Sequence, residues 1–311
     1  MNLILARHPN PYTGSPLDRA VQRRDDENWI AAALAASGSL FLPVWQAKNL
    51  IEDSNSDAPT AIFLPDAVAG PFCAPDGGGP FSWAFLGLLG EQALFAFDLG
   101  TADPAALLPS LPGHFIDLRT VPGLLPPAEA ALLAHARGLL HWRNRTRCCG
   151  VCGTVCQPIA AGNVMRCPNC GTDHFPRTDP AVIMLVTDGS RALLAHSHRF
   201  PRTAMYSTLA GFVEPGESLE EAVVREVGEE AGVQVGRVQY HSSQPWPFPA
   251  SIMLGFYAEA LSTDIVLQTE ELKDARWFTR AEIAAHESLG FNLPRRDSIA
   301  RHLIEDWMAN G

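Results

Sequence analysis

The sequence predicts an α/β (α+β) chain of several domains, and three observations carry that prediction. From Phe175 onward, short apolar runs alternate with amphipathic stretches, the pattern of strands and helices interleaved around one core. Upstream lie two matched Cys-x2-Cys pairs, which punctuate the chain near its middle. At roughly 100–200 residues per domain, a length of 311 residues makes about two or three domains.

Residues 1–125 mix apolar runs (61–64, 94–97) with turn-rich stretches such as Asp76-Gly77-Gly78-Gly79-Pro80, and read as a small mixed α/β or mostly β domain. Residues 126–147 read as a connecting helix, because Pro126-Pro127 precede an Ala- and Leu-rich run over 128–142. Residues 148–175 hold the cysteine pairs, and residues 176–311 form the last domain. There, 181–186 suits a buried strand, Asp188-Gly189 a hairpin turn and 191–195 its partner. Strands are expected at 207–213, 252–260 and 275–278, and helices at 218–231, 281–285 and 298–308.

The chain carries 23 Lys+Arg against 34 Asp+Glu, a net charge of −11. This argues against general affinity for nucleic-acid backbones or anionic membranes, while leaving room for a local basic run such as Arg143, Arg145 and Arg147. No stretch reaches the ~18 apolar residues of a membrane span. The nearest, 83–97, is broken by Gly87, Gly90, Glu91 and Gln92. Residues 1–11 lack a secretory pattern and the last four residues are not a peroxisomal address. The 7 cysteines are an odd number and mostly clustered, which predicts metal binding in a reducing, cytoplasmic setting.

Cys149-Gly150-Val151-Cys152 and Cys167-Pro168-Asn169-Cys170 each end in a turn glycine, Gly153 or Gly171. Four thiolates so arranged suit one closed, tetrahedral, structural Zn²⁺. Cys148 and Cys156 are surplus thiols and competing ligands, and His174 is a weaker alternative. The expected role is a zinc ribbon that clips the N-terminal domain to the C-terminal one.

The segment from Gly211 to Val233 reads as loop, helix, stop. Ser218 and Glu221 make a capping-box pair, and Gly232 suits a left-handed C-cap. On a 3.6-residue period Leu219, Ala222, Val223, Glu226, Val227 and Glu230 share one stripe, with Glu229 one step aside. Carboxylates on an inward stripe repel one another and resist desolvation unless a cation neutralises them. Hard oxygen donors of this kind suit Mg²⁺ or Mn²⁺ bridging to phosphates. Arg225 is placed to pair with Glu229, and with Glu217 or Glu221, holding the acids in place.

This segment resembles the Nudix box, G-x5-E-x7-R-E-U-x-E-E-x-G-U, at Gly211, Glu217, Arg225, Glu226, Val227, Glu229, Glu230, Gly232 and Val233. Nudix enzymes cleave nucleoside diphosphates linked to another moiety. A second segment, Ser243-Gln244-Pro245-Trp246-Pro247-Phe248-Pro249-Ala250-Ser251, looks like the S-Q-P-W-P-F-P-x-S signature of the NAD(H) pyrophosphatase branch. Its prolines predict a stiff extended loop that presents Trp246 and Phe248 as stacking faces, with the Gln244 amide offered to substrate.

The resemblance implies a Nudix α/β/α sandwich with a mixed sheet, preceded by a zinc ribbon and a smaller N-terminal α/β domain. It implies hydrolysis of NADH or NAD⁺ to nicotinamide mononucleotide and AMP, and removal of NAD caps from RNA as the same chemistry on a larger substrate. ADP-ribose and dinucleoside polyphosphates fit the box equally well, and a non-catalytic zinc-ribbon nucleic-acid-binding protein is the alternative from another class. By analogy Glu226, Glu229 and Glu230 hold two or three Mg²⁺ or Mn²⁺ ions. Glu271 matches a further acidic ligand, with Glu270 its rival, and either Glu229 or Glu230 is the general base. Phe212 resembles the family's ring-stacking residue, Ser251 closes the signature, and Gly211, Glu217 and Arg225 support the acids. The family also implies a homodimer, with Ser298-Ile299-Ala300 either near the substrate or simply opening a closing helix. Arg177 and Arg202 are candidate phosphate contacts, with surface placement the better reading.

Overall fold

Residues 9–52, 58–69, 73, 82–107, 113–121, 123–199 and 204–310 are described by the structure, a computed structural model. The turn-rich stretch 76–80, Arg202, residues 1–8 and Gly311 lie outside them. The chain divides into two compact units. One comprises Tyr12–Thr178 with Trp246–Ala250, and the other Asp179–Pro245 with Ser251–Gly311 and the residues up to Pro11.

The first unit opens with α1 (Glu27–Leu34), capped by the Asp26 carboxylate accepting from the Trp29 N–H. Strands β1 (Leu40–Trp45), β2 (Lys48–Glu52), β3 (Thr60–Ala61) and β4 (Leu64–Pro65) follow, then the short α2 (Asp66–Ala69). Next come β5 (Ser82–Leu89), β6 (Gln92–Asp98), the short α3 (Pro104–Leu107) and β7 (Gly113–Ile116). They form one sheet in the order β3-β2-β1-β6-β5, with β4 beside β1 and β7 beside β2. β1 and β6 run parallel, so the sheet is mixed. Alternation along the strands covers both faces. Phe41, Phe85, Phe95 and Phe97 pack with Ile30, Ala33 and Leu34 of α1. Leu42, Val44, Leu86 and Leu94 pack with Leu133, Ala136 and Leu140 of α4 (Pro127–Arg145), whose start is set by Pro127.

The cysteine segment is a small antiparallel sheet of β8 (Gln157–Ile159), β9 (Val164–Arg166) and β10 (Asp173–His174) in the order β10-β9-β8. Its buried side, Cys149, Cys156, Met165 and Cys167, joins the α4 face of the first unit's core.

The second unit holds β11 (Asp179–Thr187), β12 (Arg191–Ser197), β13 (Leu209–Phe212), α5 (Leu219–Ala231), β14 (Val235–Trp246), β15 (Ser251–Ala260), β16 (Leu272–Thr279), α6 (Arg280–Ala284) and α7 (Ile299–Ala309). Its sheet runs β14-β15-β11-β12-β16, with β13 beside β11. β11 and β15 are parallel, whereas β12 and β13 are antiparallel to β11. Val182, Met184 and Val186 point to Ala222, Val223 and Val227 of α5. Ile183 and Leu185 point the other way, to Leu303, Ile304 and Trp307 of α7. The result is the expected α/β/α sandwich.

One feature departs from expectation. The signature segment does not begin as a free loop, because β14 carries it to Trp246. Pro245 is tolerated there because β14 is the edge strand of its sheet, where one side of the backbone needs no partner. Asn10 groups with the second unit, donating to Ser242 Oγ and Ser243 O at 2.9 Å each. Among the described residues, no helix is long and apolar enough to cross a membrane.

α5 starts on a complete capping box. The Ser218 hydroxyl accepts from the Glu221 N–H, and the Glu221 carboxylate accepts from the Ser218 N–H at 2.7 Å. The helix stops at Gly232, whose φ of 68° suits glycine. Ser218→Ala is expected to destabilise the protein by about 1 kcal/mol and lower its thermal midpoint by a few degrees. Calorimetry of the variant beside wild type checks this.

Candidate active site

β13 ends at Phe212, and the chain turns through Pro215-Gly216, with Gly216 at φ 95°, into α5. Glu217 closes the turn, its Oε2 accepting from the Glu214 N–H at 2.9 Å. The same carboxylate receives Arg225 side-on, from Nε at 2.6 Å and Nη2 at 2.9 Å. That paired contact holds the Glu217 carboxyl down to about 2. Arg225 also donates from Nη1 to Glu226 Oε1 at 2.8 Å and Glu229 Oε2 at 3.0 Å, and from Nη2 to the Phe212 carbonyl at 2.8 Å. One guanidinium thus gathers three acids and the end of β13. Of the two partners open for Arg225 beside Glu229, Glu217 takes the place and Glu221 caps the helix.

Glu226 backs directly onto β13. A Cβ added at Gly211 would sit 1.8 Å from Glu226 Cδ, so only glycine leaves room for the carboxylate. Glu230, one turn on, is 7% exposed. Its carboxylate accepts from the Ala210 N–H, while its Oε2 has no hydrogen-bond partner among the described residues. Burial, then the charges of Glu226 and Glu271, push the Glu230 carboxyl up to about 8, against the pull of Arg199. Burial likewise raises Glu226, with Glu229 and Glu271 adding to the effect and Arg225 opposing it. The charge of Glu271 bears on both acids. The Glu271 carbonyl accepts from the His198 N–H at 3.2 Å and Ser197 Oγ at 3.3 Å, which fixes its place beside β12. Glu229 is the outlying member, with its side chain 59% exposed.

Arg225 thus joins Glu226 and Glu229, while Glu230 keeps a buried oxygen unpartnered among the described residues, where negative charge is unfavourable. As the side chains stand, among the described residues only the four cysteines bring three or more metal-ligating atoms within 4.8 Å of one another.

The other expected site residues fall in different surroundings. Phe212 is 58% exposed at the end of β13, with its ring available to a ligand. Gln244 is 0% exposed, and its amide donates to Asp297 O at 2.7 Å and accepts from the Ile299 N–H at 2.8 Å. This corrects the expectation that Gln244 offers its amide to substrate. A wholly buried amide is spent on backbone groups, and here it ties β14 to the first turn of α7. Ile299 and Ala300 are buried in the α7 core, as an ordinary closing helix requires, and Ser298 caps it. Ser251 opens β15 opposite Asp179. Trp246 and Phe248 group with the first unit, their rings edge-to-face at 5.0 Å and each packed against Tyr12. Arg177 is exposed. Arg199, Tyr12 and the Ala210 N–H were not anticipated, since nothing in their local sequence distinguishes them.

In the cysteine segment, one sulfur atom from each of Cys149, Cys152, Cys167 and Cys170 lies within 4.8 Å of the others. Two like turns place them. The Gly153 N–H donates to Cys149 O at 2.9 Å and the Gly171 N–H to Cys167 O at 3.0 Å, with both glycines at positive φ. The Val151 N–H points at Cys149 Sγ, 3.4 Å away. Thr154, through its hydroxyl and its backbone, draws the Cys152 thiol down to about 5, towards the thiolate. All seven cysteines are free thiols. A compact four-sulfur set of this kind fits one tetrahedral zinc ion, without Cys148, Cys156 or His174.

Glu230 binds its proton more tightly folded than unfolded. Its neutral form therefore contributes stability below the ordinary carboxyl range, and that contribution fades as pH rises towards about 8. In metal-stripped protein, the wild-type thermal midpoint is expected to fall between pH 5 and 8, and Glu230→Gln to flatten that fall. Scanning fluorimetry across that range checks it, and parallel curves would contradict the assignment.

The NUDIX domain family matches residues 177–302. The family described as the NADH pyrophosphatase-like rudimentary NUDIX domain matches residues 38–142, and the NADH pyrophosphatase zinc ribbon domain matches 144–175. A mixed sheet between helices in both units accords with two such domains in one chain. A protein named NAD-capped RNA hydrolase NudC from Stutzerimonas stutzeri is 45% identical over 230 residues, covering 72% of this chain and 79% of that one. Its namesake from Deinococcus radiodurans is 41% identical, over 72% of this chain and 76% of that one. NAD-capped RNA hydrolase NUDT12 from Homo sapiens is 43% identical over 199 residues, 59% of this chain and 43% of that protein. A solved NUDIX hydrolase from Nitrosomonas europaea overlaps 53% of this chain and 92% of its own at 22% identity, with a TM-score of 0.44. With this identity across most of a relative's length, the chain belongs to the Nudix hydrolases, in their zinc-ribbon-bearing NADH pyrophosphatase branch.

Proposed function

We propose that the chain hydrolyses the pyrophosphate of NADH or NAD⁺, releasing AMP and reduced or oxidised nicotinamide mononucleotide. An NAD moiety at an RNA 5′ end carries the same bond, and its removal is the same reaction. The carrying observation is the carboxylate cluster gathered by Arg225, with a buried, unpartnered oxygen on Glu230. The name that these relatives share, NAD-capped RNA hydrolase, supports the identity of the moiety. The net charge of −11 favours recognition of the cap over general RNA affinity.

Glu226, Glu229, Glu230 and Glu271 would hold Mg²⁺ or Mn²⁺, two or three ions on the family pattern, which neutralise the pyrophosphate and make a bound water more acidic. Arg225 does not touch substrate in this reading; it keeps Glu226 and Glu229 from splaying. Either Glu229 or Glu230 would serve as the general base. The water oxygen joins one phosphorus in line, its proton goes to the base, and the bridging oxygen leaves on the other phosphate. Phe212, exposed beside the box, offers a stacking face.

One zinc ion on the four cysteines would close the ribbon and take no part in the reaction. Free, clustered thiols support a reducing compartment such as the cytoplasm. A homodimer rests on the family resemblance alone.

Chromatography of NADH incubated with the protein and Mg²⁺ or Mn²⁺ is expected to give AMP and reduced nicotinamide mononucleotide in equal amounts. Nicotinamide release, or no cleavage, would contradict the reading. Glu230→Gln is expected to lower kcat by about tenfold or more. Gly211→Ala, whose methyl group displaces the Glu226 carboxylate, is expected to cost about 10²-fold with the fold retained by circular dichroism.

A further inference from the structure

We propose that His198, just past the end of β12, is a positioning residue that locks the turn 268–272 and so places Glu271 to share a divalent cation with the acids of α5. The inference rests on the reading that Glu271 is a cation ligand, and every residue in it belongs to the second unit. The turn closes on itself, the Leu272 N–H donating to Gln268 O at 3.0 Å and the Glu270 N–H to Gln268 Oε1 at 2.6 Å. On one side it is tied to the end of α5. There the Gln268 N–H donates to Glu230 O at 3.1 Å, and the Val266 N–H to Ala231 O at 2.8 Å. On the other side His198 holds it twice. The His198 N–H donates to Glu271 O at 3.2 Å, and its ring Nε2 donates to Thr269 O at 3.1 Å.

The strand pairing shows why a side chain is needed here. β12 and β16 keep a regular register from Arg191 opposite Thr279 to His196 opposite Asp274, and the next pair is Ser197 with Leu272. Lys273 is therefore the extra residue of a bulge. The slip puts Leu272 on the same buried face as Ala275 and leaves Lys273 exposed. Past the bulge the ladder has a single pair left, so regular pairing gives Glu271 little support. His198 supplies it, because its backbone and its ring take the carbonyls on either side of Glu270. Held there, Glu271 lies close enough for its charge to add to burial in raising the Glu226 and Glu230 carboxyls. His198 itself touches neither ion nor substrate. It is exposed, so its loss loosens the turn without opening the core.

Calorimetric titration of Mn²⁺ into the full chain tests this, comparing wild type, His198→Ala, His198→Gln, Glu271→Gln and the double variant His198→Ala with Glu271→Gln. Glu271→Gln is expected to weaken Mn²⁺ binding. His198→Ala should weaken it by about fivefold, the worth of one hydrogen bond. His198→Gln keeps an amide that donates to Thr269 O, and should stay within about twofold of wild type. In the double variant, loss of His198 should cost less than about twofold beyond Glu271→Gln, because both changes act through one carboxylate. Unchanged affinity in His198→Ala beside a weakened Glu271→Gln overturns this inference alone. So does a His198→Gln as weak as His198→Ala, or a fully additive double variant. Unchanged affinity in Glu271→Gln overturns the reading of Glu271 as a ligand, and this inference with it.

Discussion

Arg225 donates to Glu217, Glu226 and Glu229 and to the carbonyl that ends β13, and almost every other feature of the site follows from that gathering. Crowded carboxylates at a sheet–helix junction repel, and a half-buried cation offsets part of that cost. The offset is incomplete. Glu226 and Glu230 keep raised proton affinities, and Glu230 Oε2 has no partner among the described residues. That unsatisfied remainder supports the proposed role of the cluster as a divalent-cation site.

The sandwich explains why the cluster can exist at all. Val223 and Val227 bury α5 against β11, and this packing holds the Glu226–Glu230 face over β13. Gly211 removes the one Cβ that would collide with Glu226. The capping box and Gly232 then fix where the helix starts and stops, so the acids keep their phase along it. In the first unit a mixed sheet between helices supports a different task. Its core accepts the buried side of the cysteine ribbon.

Much of the second unit was legible in the sequence, because its strands bury both faces as continuous apolar runs and its helix carries a dense, specific spacing of charges. The four cysteines were legible for the same reason: paired spacing with turn glycines leaves few alternatives. Strand β14 was not, since prolines at its end suggest a loop unless the strand is known to lie at an edge. Gln244 misled because a polar residue inside a recognisable segment suggests a ligand, while its full burial is a tertiary property. The parallel pairing of β1 with β6 joins segments far apart in sequence, and no local pattern encodes it.

Manganese titration followed by electron paramagnetic resonance most directly tests the claim that this cluster exists to hold divalent cations. Wild-type protein should deplete the free Mn²⁺ signal saturably, and Glu226→Gln, folded to the same thermal midpoint, should lose most of that binding. Equal Mn²⁺ uptake by both proteins would contradict the account.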